Sequence, residues 1–330
     1  NINTLWFPSY GPETRGGTAN CSVTISERSV NSPVISTPDS IIIMNKPSLA
    51  KFEPKLKVGG NLFLNTSLVV DVEARKDAVK SEDLATLIYT SGTTGRSKGA
   101  MLTQNNLLSN AKTLVDYWQF NNKDTLLHAL PIFHTHGLFV AINVCLISGS
   151  KIILVPRFNL DELINNIPKA TVLMGVPTFY TRLLSNDSFN NKLCEKMRLF
   201  ISGSAPLLAE THIDFEKRTG HKILERYGMT ETNMSTSNPY NAERRAGTVG
   251  FPLPGIELKI TDPKTGIELP RGEIGNLEVR GPNVFVGYWN MPEKTKEELR
   301  EDGFFITGDL GLMDADGYVQ IIGRDNDLII

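Results

Sequence analysis

The sequence predicts an α/β fold: a parallel-sheet core followed by a small β-rich subdomain and preceded by a partial α/β segment. Three observations carry this. Between about residues 84 and 231, short apolar strands alternate with helical stretches, the pattern of parallel-sheet proteins. The turns after several strands are built from small residues, as where α/β sheets receive ligands. From Gly250 onward, short strands are separated by Gly, Pro and Asp turns, which suits a mostly β unit.

The opening 71 residues read as a unit of their own. A turn-rich loop from Ser9 to Cys21 leads into a strand over Ser22–Ser26. A second strand is expected at Ile41–Met44, then a short helix near Ser48–Leu56 with Pro47 in its first turn, and a third strand at Leu62–Leu64 after Gly59-Gly60. The charged run Asp71–Lys80 is expected to be a linker.

Leu84–Tyr89 then forms a strand, and Thr90-Ser91-Gly92-Thr93-Thr94-Gly95-Arg96-Ser97-Lys98-Gly99 follows directly. Glycines let backbone amides turn toward a ligand, hydroxyls donate to phosphate oxygens, and Lys98 adds one compact charge. The loop is a phosphate-gripping one without Walker A spacing. A strand can resume at Ala100–Thr103, and Asn105–Phe120 carries the apolar stripe of a core-facing helix.

Further along, Thr125–Phe133 reads as a strand running into His134-Thr135-His136-Gly137. Two histidines there lack a third ligand, which makes a metal site a poor reading. Strands are expected at Lys151–Val155, Ala170–Gly175 and Met197–Ile201, with a helix from Asn159 to Ile167. Ser202-Gly203-Ser204-Ala205-Pro206 is a second small-residue turn, followed by a helix to about Thr219 with Gly220 as its cap. Ile223–Glu231 closes the series, and the repetition puts all these turns at one edge of a parallel sheet. In the β-rich part, strands are expected at Ile256–Thr261, Gly275–Arg280, Phe304–Thr307 and Val319–Ile322, with a helix over Pro292–Arg300.

With 330 residues, 40% hydrophobic and 21% charged, the chain has ordinary globular composition. A net charge of −2 gives no field for nucleic acid or an anionic membrane. Cys21, Cys145 and Cys194 have no metal-ligand spacing, and an odd count argues against a disulfide framework, so a cytoplasmic setting is expected. No signal-peptide pattern opens the sequence, and its longest apolar stretch, Leu138–Leu146, is too short to span a bilayer.

The Thr90–Gly99 loop resembles the signature loop of the adenylate-forming acyl-CoA synthetase superfamily. From about Val72 to Ile330 the resemblance is to its malonyl-CoA synthetase branch, carried by His128–Phe139, Val172–Tyr180 and Glu225–Thr232. The resemblance implies that malonate or methylmalonate, ATP and coenzyme A yield malonyl-CoA, AMP and pyrophosphate through an acyl-adenylate. It implies that Thr90, Ser91, Gly92, Thr93, Thr94, Gly95 and Lys98 hold the phosphates, Thr230 meets the α-phosphate and Glu231 holds Mg²⁺. Ser202, Gly203, Ser204, Tyr227 and Gly228 would line the adenine side, with Asp309 and Arg324 on the ribose. His134 would form the wall between acyl pocket and nucleotide.

A dicarboxylate adds the need for a partner at its far carboxylate. Arg157, Arg182, Arg244 and Arg245 are candidates; Arg157 and Arg245 are preferred, with His136 and Ser204 as polar support. Residues 72–249 then form a partial AMP-binding core, 250–322 the β-rich subdomain and 323–330 a hinge stub. The resemblance also implies a mobile carboxy-terminal domain starting where this sequence stops, hence weak nucleotide binding and little thioester formation.

Residues 1–71 resemble instead the gamma subunit of 2-oxoacid:ferredoxin oxidoreductases, through Ser9–Cys21, Asn45–Leu49 and Lys57–Gly60. That likeness leaves open an assembly role with oxidoreductase subunits, or a non-functional chimera.

Overall fold

The computed structural model describes residues 3–9, 20–26, 35–43, 46–64, 80–90 and 97–324. They fall into two compact units, Asn1–Ala78 and Val79–Ile330.

In the first unit, β1 (Asn3–Ser9) pairs antiparallel with β2 (Asn20–Ser26). β3 (Ser40–Ile43) and β4 (Asn61–Leu64) are parallel neighbours joined through α1 (Lys46–Phe52) and a 3₁₀ turn. That connection is the strand–helix–strand unit expected there. Ile43 and Leu49 are its buried centre.

The second unit begins with a hairpin, β5 (Leu84–Thr90) against β6 (Lys98–Thr103), with Thr90 opposite Lys98. Thr103 then caps α2 (Gln104–Tyr117): its hydroxyl accepts the Asn106 N–H while the Asn106 side chain accepts the Thr103 N–H.

β7 (Thr125–His128) ends five residues earlier than the sequence suggested. The chain then turns at Pro131 and enters a π-helical stretch over His136–Ile142 that continues as α3 (Asn143–Ser148). Gly137 is required at that entry, because a Cβ there would lie 2.2 Å from the Pro131 carbonyl oxygen. β8 (Lys151–Leu154), α4 (Leu160–Asn166), β9 (Val172–Gly175), α5 (Pro177–Leu184), β10 (Leu199–Ser202), α6 (Ala209–Thr219), β11 (Leu224–Met229), β12 (Asn233–Ser237) and β13 (Phe251–Pro252) follow.

The seven-stranded sheet runs β13-β12-β11-β10-β9-β7-β8. From β8 to β11 every pairing is parallel, whereas β12 and β13 add antiparallel. The single-edge expectation therefore needs correction. Ser202–Pro206 does leave a parallel strand, but Thr90–Gly99 spans a hairpin in a separate two-stranded sheet, and Thr230–Glu231 sits in the β11–β12 hairpin turn. The main core lies between this sheet and its helices, around Trp118, Leu127, Leu173, Tyr180, Phe200 and Phe215.

The remaining elements form the expected β-rich part. β14 (Glu257–Thr261), β15 (Gly275–Arg280), β16 (Phe305–Met313) and β17 (Val319–Arg324) make an antiparallel sheet in sequence order, with α7 (Pro292–Glu298) before β16. Residues 286–289 run alongside β6: Met101 N–H donates to Gly287 O, Val286 N–H to Met101 O and Trp289 N–H to Gly99 O. This strip fastens the β5–β6 pair to the β-rich part.

Candidate active site

β10 and β11 end beside β16 and β17, and the gap between them is a cleft of about 370 Å³. Ser202, Ser204, Tyr227, Gly228, Asp309 and Arg324, all expected at a nucleotide, line it together. The Tyr227 hydroxyl donates to Asp309 Oδ2 at 2.5 Å, and Arg324 Nε reaches Asp309 Oδ1 at 2.9 Å. Burial raises the Asp309 carboxyl above its ordinary range, and those two partners pull it back only in part. A buried acceptor pair at a cleft wall suits paired sugar hydroxyls.

Gly228 can only be glycine, since a Cβ would sit 1.8 Å from the Asn233 carbonyl oxygen where β11 bulges against β12. Ser204 holds a left-handed backbone, φ 70°, at the tip of the small-residue turn.

The strip at residues 285–288 also brings together the phosphate and metal candidates. Phe285 N–H donates to Glu231 O at 2.8 Å, so Tyr288 lies between Glu231 and β6. Its hydroxyl is 2.9 Å from Glu231 Oε1, and Lys98 Nζ lies 4.6 Å from its ring centroid. Glu231 is buried, and burial raises its carboxyl, with Tyr288 and Lys98 opposing. Thr230, half-buried, precedes it in the turn. Ser91, Gly92, Thr93, Thr94 and Gly95 lie outside the described residues, as do residues 325–330 of the expected hinge stub.

Among the described residues no cluster of three or more His, Cys, Asp or Glu could hold a metal ion. A lone Glu231 beside Thr230 fits Mg²⁺ that arrives with phosphates, because Mg²⁺ takes few protein ligands and keeps water and phosphate oxygens.

The acid side differs from expectation. Arg245 does not line the cleft; it pairs with Asp314 at 2.8 Å, Asp316 at 3.1 Å and Glu243 at 3.5 Å, and lies over Tyr318. Arg157 is exposed on the segment after β8, and none of the described ion pairs involves it. Arg182 stacks on Phe158, and Arg244 donates to the carbonyls of Pro239, Lys222 and Tyr240.

The residue in the right place is Arg226, which the sequence reading quoted in its motif but did not select. It is buried on β11, lines the cleft, and pairs with no carboxylate among the described residues; its Nε and Nη2 find no hydrogen-bond partner. Burial lowers its pKa to about 9.

Around Arg226 stand His134, open to solvent on one side but partly desolvated, and His136, buried; loss of solvation and then the Arg226 charge hold each below the ordinary histidine range. His136 Nδ1 is 3.2 Å from Ser204 Oγ, while His136 Nε2 and Ser202 Oγ are buried without partners. Tyr180 gives its hydroxyl to Ile201 O, so it does not answer the guanidinium. Cation and donors converge, and among the described residues no carboxylate pairs with the cation. No motif signalled this, because every arginine looks alike until burial and partners are known.

A sequence profile described as AMP-binding enzyme matches residues 19–289. A malonate–CoA ligase of Arabidopsis thaliana is 41% identical over 267 residues, covering 74% of this chain and 43% of that protein. The ATP-bound structure of MatB from Rhodopseudomonas palustris matches with a TM-score of 0.76 and 52% identity, over 89% of this chain and 60% of that one. A malonyl-CoA ligase holding methylmalonyl-CoA and AMP matches with a TM-score of 0.71 and 38% identity, over 84% and 59%. The chain thus spans less than half the length of the plant relative. The profile starts inside the segment read as oxidoreductase-like, and these comparisons lend that reading no support.

Proposed function

This chain belongs to the AMP-binding enzyme family, and from that premise we propose that it is the nucleotide- and acid-binding core of a malonate or methylmalonate CoA ligase. The observation that carries the choice of acid is Arg226, a buried guanidinium that pairs with no carboxylate among the described residues. A monocarboxylic acyl chain would leave that charge unanswered. A second carboxylate would pair with it and take donors from His136 and Ser202, and a buried ion pair that also satisfies its hydrogen bonds is the arrangement that can repay desolvation.

In this reading the near carboxylate of the acid attacks the α-phosphorus of ATP and pyrophosphate departs. The coenzyme A thiol then opens the acyl-adenylate, releasing AMP. The chain's own part is positioning and charge neutralisation. Asp309, Tyr227 and Arg324 fix the ribose, the Ser202–Ser204 turn and Gly228 let the adenine approach the backbone, and Lys98 and Thr230 meet the phosphates. Glu231 would hold Mg²⁺, which lowers the charge on the phosphates when bound. The relatives' ligands, ATP in one and methylmalonyl-CoA with AMP in another, support this assignment. The buried free thiols of Cys145 and Cys194 suit a reducing compartment, and we assign the chain to the cytoplasm; recovery in a membrane or organelle fraction would contradict that.

Equilibrium binding of malonate and butyrate in the presence of AMP tests the acid assignment. Malonate is expected to bind at least about tenfold more tightly than butyrate, and Arg226→Met to abolish the difference. Equal affinities in the unmodified chain would sink the dicarboxylate reading.

A further inference from the structure

Lys98 already has an anion. Its Nζ stands 3.1 Å from each carboxylate oxygen of Glu298, the last residue of α7. The two side chains are 15% and 20% exposed, so water screens the pair only in part. Glu298 has further support: Lys294 Nζ lies 3.1 Å from Oε1 and the Tyr288 hydroxyl 2.6 Å from Oε2. These cations and the hydroxyl hold the Glu298 carboxyl below its ordinary range despite burial. When Lys98 lets go, Glu298 still has Lys294 and the Tyr288 hydroxyl to answer it.

A carboxylate presenting both oxygens to an ammonium has the charge and bite of one edge of a phosphate. Polyphosphate and Glu298 cannot both take Lys98 in full, because each would face the other as a like charge across it. We propose that Glu298 is a positioning residue that serves as the resident counter-anion of Lys98, holding the ammonium until the phosphates of the nucleotide displace it. The proposal rests on the reading of Lys98 as a phosphate ligand. It deepens that reading by naming what the phosphates compete with.

The exchange also touches Glu231. The Tyr288 hydroxyl has one proton and two carboxylates within reach, Glu298 at 2.6 Å and Glu231 at 2.9 Å. When Lys98 leaves, Glu298 retains its other two partners, and α7 remains tied to the site through Tyr288.

Calorimetric binding of MgATP and of AMP to the full chain and to Glu298→Gln tests this, with Lys98→Ala and the double variant completing a cycle. Loss of the competing anion is expected to tighten MgATP about tenfold and to leave AMP within about twofold, and the gain should vanish in the Lys98→Ala background. Unchanged or weaker MgATP binding in Glu298→Gln overturns the proposal, as does a gain that survives without Lys98. If Lys98→Ala alone leaves MgATP binding unchanged, the phosphate reading of Lys98 fails instead. Should Glu298→Gln not fold, Glu298→Asp withdraws the carboxylate by one methylene. A gain of about threefold is expected there, and none would count against the exchange.

Discussion

Gly203 gives the Arg226 guanidinium its place: a Cβ at position 203 would stand 2.4 Å from Arg226 Cζ and 2.6 Å from Nε. The glycine of the second small-residue turn is thus explained by the neighbouring strand. Gly203→Ala is expected to push the guanidinium aside and weaken malonate binding by about tenfold or more, with AMP affinity much less affected. Titration with each ligand separately checks this.

Arg226→Met should act on stability and on binding in opposite directions. In the unliganded chain a buried cation whose Nε and Nη2 have no partner among the described residues is a cost that an apolar side chain of similar length removes. Melting of the free variant is expected to rise by roughly 2–4 °C, while the shift that malonate produces in the parent disappears. A fall in both would place Arg226 among purely structural residues.

The pH dependence of stability rests most on His128 and His136, both buried and both held below the ordinary histidine range, chiefly by burial, with the partly desolvated His134 and His221 acting in the same direction. A histidine with a depressed folded pKa leaves the unfolded chain binding the extra proton, so its contribution is present above pH ~6.5 and is lost as pH falls below that value. Each contributes a slope of about 1.4 kcal/mol per pH unit in that window. Glu225 and Glu231, raised by burial, run the other way, because acid relieves their cost. Denaturant melts between pH 7.5 and 5.5 should show falling stability, and His128→Leu should make the fall shallower.

At the ribose side, Asp309→Asn is expected to weaken AMP binding by about 1.5–3 kcal/mol, the range for hydrogen bonds to a charged group. Tyr227→Phe should cost about 1 kcal/mol, since Arg324 still holds Asp309. Equal losses of AMP and malonate affinity in either variant would mean that the whole cleft had deformed.

Much of the fold was legible because apolar periodicity and small-residue turns are local signals. The parallel strands at 151–154, 172–175 and 199–202 and the strands at 257–261, 275–280 and 319–324 fall where sequence pattern expects them, within a few residues, whereas β16 runs six residues past the expected end at Thr307, to Met313. Strand partners were not legible. Nothing local shows that the two strands flanking the Thr90–Gly99 motif pair with each other antiparallel and outside the main sheet, nor that β12 reverses direction. The residues proposed for the nucleotide could be chosen from motifs, and Ser202, Ser204, Tyr227, Gly228, Asp309 and Arg324 converge on one cleft. Arg226, Tyr288 and Glu298 escaped selection for one reason: their meaning lies in which distant residue stands opposite, as with the 200 positions separating Lys98 from Glu298.

Strand β11 places neighbouring side chains on opposite errands. Arg226 turns toward Gly203 and His136, while Tyr227 turns toward Asp309, and the bulge after Tyr227 resets the alternation before Glu231. Diversification can therefore proceed one position at a time: exchanging residue 226 changes the charge in the cleft beside His136 and leaves the Tyr227–Asp309 contact intact. A one-residue insertion ahead of the bulge would scramble both at once.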